Sequence, residues 1–153
     1  MSVLVRRAAR VLLVDPQGRV LLFRGLDPHQ PGSGSWWFTP GGGLDDGEDD
    51  EAAARREVRE ETGLVVLHLG PVLGETDSDF TFMGQRIVQS NVYYGVRVET
   101  FEPEASGWSQ VERDSVVEHR WWGADDLRTT TETVLPPTLA DLLARVGEED
   151  SPP

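Results

Sequence analysis

The chain has 153 residues, 38% of them hydrophobic and 27% charged, with a formal net charge of −13 and no cysteine. That length suits one domain with a proper core and is too short for two comfortable ones. The acidity argues against a nucleic-acid groove or an anionic membrane surface as partner, and the missing cysteine excludes disulfides, thiolate catalysis and cysteine-ligated zinc.

From the N-terminus, Val3 to Val14 and Val20 to Arg24 carry strand patterns, joined by the turn signal Asp15-Pro16-Gln17-Gly18. The apolar run Val11 to Val14 is too short for a secretion signal, and no small-residue cleavage site follows it. No segment has the apolar length that spans a membrane, so the expected compartment is the cytoplasm. Gly25 to Ser35 is expected to be a mobile loop at the rim of a site, and Trp36 to Thr39 a short strand. Gly41, Gly42 and Gly43 follow Pro40 in a turn whose backbone can approach a ligand that side chains would block.

A helix is predicted from Gly47 or Glu48 to Thr62, with Asp45 or Asp46 as N-cap and Gly63 as its stop. Ala54 and Val58 form its buried stripe, and Glu57, Glu60 and Glu61 lie on another side. Beyond it, Leu64 to Leu73 and Ile87 to Val98 read as strands, with their connecting turn within Asp77 to Gly84. Pro103 to Ser109 reads as a loop, Val116 to Trp122 as a strand and Thr138 to Val146 as the second main helix. Residues 1–146 are expected to form a single domain and residues 147–153 an acidic flexible tail. The elements imply an α/β protein with a mixed sheet between two main helices.

The spacing of Glu57, Glu60 and Glu61 puts their carboxylates on one helix face. Neighbouring like charges each cost a helix roughly 0.2–0.5 kcal/mol, so stability gives no reason to cluster them. A shared divalent cation does; the alternative is a merely solvated acidic face. The surrounding residues bear on that choice. Gly42 to Leu64 fits G-x5-E-x7-R-E-U-x-E-E-x-G-U, with U aliphatic, at Gly42, Glu48, Arg56, Glu57, Glu60, Glu61 and Gly63, with Val58 and Leu64 at the aliphatic positions. This segment resembles the Nudix box and departs from it nowhere.

The resemblance implies a Nudix-type α/β/α sandwich that uses Mg²⁺ or Mn²⁺ to hydrolyse a diphosphate linkage in a nucleoside diphosphate derivative. It implies Glu57, Glu60 and Glu61 as metal ligands and, with Arg56, as catalytic residues. A backbone carbonyl of Gly41 or Gly42 would join them, and Gly41, Gly42 and Gly43 would face the substrate. Glu48 and Gly63 are supporting residues, with Glu48 and Arg56 two helical turns apart in a salt-bridged frame. Such sites often recruit an acid from a later loop; Glu112, Asp114 and Glu118 are candidates, with Glu112 and Glu118 retained. Arg24, at the end of the second strand, is a candidate phosphate ligand. Trp36, Trp37 and Phe38 offer a base-stacking face, with Trp37 the named candidate, although core packing is the commoner role of such aromatics. His29, His68 and His119 show no ligand spacing.

Other functions are weighed against this one. A non-catalytic nucleotide sensor of the same fold is the alternative, but such domains commonly carry eroded boxes. Isopentenyl diphosphate isomerases share the box and rely on a cysteine, which this chain lacks. RNA decapping is disfavoured by the acidity. Asp79 and Phe80 stand where ADP-ribose specialists tend to carry a proline, so that signature is missing. The expected partner is a small nucleotide, with no nucleic-acid polymer and no membrane; a homodimer is frequent among similar proteins.

Overall fold

A computed structural model describes residues 2–149. Its strands are β1 (Val3–Val14), β2 (Val20–Leu26), β3 (Ser35–Phe38), β4 (Gly41–Gly43), β5 (Val72–Phe82), β6 (Gln85–Arg97), β7 (Val116–Trp122) and β8 (Val134–Leu135). Its helices are α1 (Asp50–Thr62), α2 (Gln110–Ser115), α3 (Ala124–Thr129) and α4 (Leu139–Glu149). The mixed sheet runs β5-β6-β1-β2-β3-β8, with β4 also pairing β1 and β7 also pairing β2.

β1 sits at the centre because both of its faces are apolar over most of its length. Ala8, Ala9, Val11, Leu12 and Leu13 are fully buried. Alternation along the strand sends Leu12 and Val14 towards α4, where they meet Trp37, Trp122, Leu139 and Leu142. It sends Ala9, Val11 and Leu13 towards α1, where they meet Ala53, Ala54 and Val58. The result is the expected α/β/α sandwich, with α1 and α4 on opposite faces of the sheet.

Several local expectations are corrected. The helix begins later than expected: the Asp49 carboxylate caps it by accepting the Ala52 N–H at 2.8 Å, and Glu48 precedes it. Gly63 ends it with φ 80°, a left-handed conformation that glycine adopts without strain. The glycines expected to turn instead form β4, paired along β1 from Ala8–Gly43 to Arg10–Gly41. Leu64 to Leu73 is irregular up to Val72; Val65 and Leu67 are 66% and 75% exposed, and Gly70-Pro71 interrupts any ladder. The connecting turn does fall within Asp77 to Gly84, at Met83-Gly84, although the rest of that stretch is strand, since β5 runs to Phe82. The loop from Gly25 contains the end of β2 and a 3₁₀ turn at Pro31–Ser33. α2, α3 and β8 were not foreseen. Gly147 to Glu149 belong to α4 rather than a tail, and the rest of the expected tail lies outside the described residues.

Candidate active site

The site forms where the glycine strand β4 lies against α1. A Cβ on Gly42 would stand 2.7 Å from Glu57 Oε1, so only glycine lets that carboxylate lie flat on the backbone. The neighbouring Gly41 N–H donates to Glu61 Oε2 at 3.0 Å. Glu61 is 7% exposed, one turn beyond Glu57 on a face that turns inward. The sequence pattern separated the acids from the buried stripe; Glu61 belongs to both.

Arg56 fixes this arrangement. Its guanidinium donates to both oxygens of Glu48 at 2.8 and 2.9 Å, to Glu57 and Glu60 at 3.1 Å each, and to the Gly43 carbonyl at 3.1 Å. The bidentate bond holds the Glu48 carboxyl near pKa 2. The expected Glu48–Arg56 frame is therefore formed, but from a loop residue to a helix residue. Glu48 also accepts the Asp45 N–H at 3.0 Å, which secures the turn ahead of α1.

A third carboxylate arrives from α2. Ligand oxygens of Glu57, Glu61 and Glu112 all lie within 4.8 Å of one another. The Glu112 side chain meanwhile accepts the Ser109 N–H at 2.9 Å in a capping box, which fixes its direction. The loop ahead of α2 is tied to the end of α1: Trp108 Nε1 donates to the Glu61 carbonyl at 2.6 Å, and Glu104 N–H to Thr62 O at 3.0 Å.

Like charges held this closely are costly without a counter-ion. Burial, then Glu57 and Glu112, push Glu61 well above the ordinary carboxylate range. Burial raises Glu57 as well, against the pull of Arg56. Three carboxylates, one deeply buried, form an all-oxygen donor set that suits a hard divalent cation, and such an ion would offset their repulsion. The residues present therefore fit the metal that the box implies.

The acids open into a cavity of about 450 Å³ lined also by Arg6, Arg10, Phe23 and Phe38. Glu60 lines it too, though it is not one of the clustered carboxylates and its side chain is 38% exposed. Other expected residues lie elsewhere. Glu118 is opposite Arg24 in the β2–β7 ladder and pairs with it at 2.9 Å, so neither reaches the acids or the cavity. Asp114 is exposed and accepts from Gln110 at 2.9 Å. Trp37 is 1% exposed, packs edge-on against Trp122 at 5.0 Å and donates to Glu132; as a core residue it has no face left for a base. Sequence reasoning missed Arg6, Arg10 and Trp108. The alternation of β1 could have put the two arginines on one face, whereas nothing local marks Trp108.

Comparisons with known proteins agree with this fold. The NUDIX domain family model matches residues 4–145. The fold is similar to that of a MutT protein from Methanosarcina mazei Go1, with TM-score 0.65 and 19% identity over 99% of each chain. It is also similar to a MutT NUDIX hydrolase from Burkholderia pseudomallei, with TM-score 0.64 and 25% identity over 93% of this chain and 98% of that one. A C. elegans Ap4A hydrolase has TM-score 0.59 and 17% identity over 94% and 96% of the two chains. No curated protein matches the sequence.

Proposed function

Since the chain belongs to the Nudix family, hydrolases of phosphoric anhydride bonds, we propose that it cleaves a diphosphate linkage in a nucleoside diphosphate derivative with Mg²⁺ or Mn²⁺. The observation that carries this reading is the meeting of Glu57, Glu61 and Glu112 beside Gly41 and Gly42, at the wall of a cavity that also holds two arginines.

In this reading Glu57, Glu61 and Glu112 hold the cation, with Glu60 beside them at the cavity wall. When bound, the ion neutralises charge on the phosphoryl oxygens and activates the attacking water. The protein does the positioning. Arg56 locks the helix to β4, so the glycine backbone and the carboxylates keep one spacing. The Gly41 N–H holds one oxygen of Glu61 and leaves the other for the cation. The deep placement of Glu61 among Phe23, Phe38 and Trp108 limits competing solvent.

Residues 1–146 are read as the domain that does this, within the cytoplasm. Among the described residues no helix is long and apolar enough to cross a membrane.

The test is a panel of canonical and oxidised deoxynucleoside triphosphates, ADP-ribose, nucleotide sugars, diadenosine polyphosphates and NADH, with and without Mg²⁺ or Mn²⁺. Cleavage of at least one member should require the metal, and Glu61→Gln should lower turnover by roughly a hundredfold or more while the fold persists. Undiminished turnover in Glu61→Gln would place the chemistry elsewhere. Nucleotide binding without turnover would favour the sensor.

A further inference from the structure

Arg6 and Arg10 are the charged groups that the box leaves unexplained. Both are partly buried, and both line the acidic cavity and a second groove of about 690 Å³ that adjoins it. Among the described residues neither forms an ion pair. Arg6 donates to the Gln89 side chain and Arg10 to the Thr39 carbonyl at 2.9 Å. They stand two positions either side of Ala8 on one face of β1, so their charges repel. Burial and the neighbouring Arg10 hold Arg6 below the ordinary arginine value, against the weaker pull of Glu57, which faces the same cavity. Two half-buried guanidiniums side by side, with donors to spare and no carboxylate bonded to either, are costly unless an anion completes them.

The sheet register says what lies beyond them. Arg6, Ala8 and Arg10 on β1 face Gln89, Asn91 and Tyr93 on β6, which face Ser78 and Thr76 on β5. Gln89 and Asn91 are each 2% exposed, and a chain of side-chain bonds joins them: Gln89 Nε2 to Asn91 Oδ1 at 2.6 Å, then Asn91 Nδ2 to Ser78 Oγ at 3.0 Å. The Ser78 and Thr76 hydroxyls accept from Asn91 and so keep their own protons to donate. Trp36 and Phe82 meet edge-on at 6.3 Å at one side of this polar floor. The buried Asp27 carboxylate accepts the Met83 N–H at 3.0 Å and so pins the β5–β6 hairpin against the end of β2. A polar floor between aromatic walls suits a planar heterocycle with hydrogen-bonding edges.

We infer that Arg6 and Arg10 are a phosphate clamp, and that the substrate lies with its phosphates across them, its base in the groove over Asn91 and its scissile bond towards Glu57 and Glu61. This rests on the diphosphohydrolase reading and gives it a direction. The bound molecule is a nucleotide with its base on the α4 face of the sheet, and the guanidiniums, not Arg24, select its phosphates.

Binding is measured by Trp fluorescence and calorimetry in EDTA, which separates the clamp from the metal. The probes are inorganic pyrophosphate, ADP, GDP and the matching nucleosides. Wild type should bind the diphosphates and pyrophosphate. Arg6→Met/Arg10→Met should weaken both by about ten- to a hundredfold, the loss expected for charge-assisted bonds, while Glu61→Gln does not weaken them. Trp36→Ala should weaken ADP or GDP and leave pyrophosphate unchanged. Pyrophosphate binding in the double arginine variant equal to wild type, with folding confirmed by circular dichroism, overturns the clamp. Equal loss of pyrophosphate and nucleotide in Trp36→Ala overturns the placement of the base. In turnover the arginine variant should raise KM more than it lowers kcat, and an unchanged KM on a cleaved substrate refutes the clamp while leaving the hydrolase standing. A clamp that binds pyrophosphate in a protein that cleaves nothing would instead refute the hydrolase.

Discussion

Arg56 shows how one side chain can serve structure and chemistry together. It is 19% exposed and joins Glu48, Glu57, Glu60 and Gly43. Lysine would keep the charge and lose the planar fork, so Arg56→Lys should lower both melting temperature and turnover, read by thermal denaturation and steady-state kinetics. Its partner Glu48 gives a pH signature. Its folded value of about 2 lies below the ordinary 4.5, so the stabilisation is fully present above about pH 4.5 and is lost as pH falls through 2. Between those limits wild type should lose on the order of 2–3 kcal/mol more than Glu48→Gln; parallel acid-denaturation curves would remove Glu48 from the frame. The pair was legible in the sequence because eight positions of separation suggested proximity, but the geometry differs, as Glu48 reaches in from a loop. Glu112 was named among three later acids without a means to rank them. Only the fold does so, because distance from the box along the chain says nothing about distance in space.

At the scale of elements, the decisive contact is between α1 and the loop before α2. The last carbonyls of a helix lack intrahelical partners, and here Trp108 and Glu104 satisfy two of them. A Cβ on Gly107 would lie 2.5 Å from the Glu60 carbonyl oxygen, which shows how tightly the loop is pressed against the helix. Trp108→Phe should keep the edge-on packing with Phe23 and lose the N–H donor, destabilising by about 1–2 kcal/mol. Since that loop carries Glu112, turnover should fall by more than the loss of folded protein explains, as measured by activity per folded molecule. Glu112→Gln keeps an acceptor for Ser109 and relieves repulsion on Glu61, so without metal its melting temperature should equal or exceed that of wild type while metal-dependent turnover drops. α1 was legible from its caps and periodicity. α2 and α3, at six residues each, are too short for periodicity, although the Ser109–Glu112 capping box was present in the sequence. β5 was missed because its residues from Glu75 to Asp79 are polar and carry no apolar face.

Across the whole molecule, a formal charge of −13 coexists with an arginine-flanked site, so the sequence total said little about the local field. A cation that relieves the clustered carboxylates should stabilise the fold by linkage, by about 2.7 kcal/mol at a concentration one hundred times its Kd. Mg²⁺ or Mn²⁺ should therefore raise the melting temperature of wild type and leave Glu57→Gln unmoved; equal shifts in both would point to another ion site. The sheet order has a further effect, on how the protein comes into being. β1 is made first, yet its long parallel partner β6 follows it by 83 positions, Val3 beside Arg86, while β2 meets β1 only at Val14 and Val20. During synthesis β4 and α1 can cover part of β1 early, but its long parallel ladder must wait until Arg97 has left the ribosome. Pairing so distant along the chain makes for slow folding and exposes the nascent chain to association. Of these strands, the one that carries the two arginines is thus made first, and its longest ladder closes only with β6.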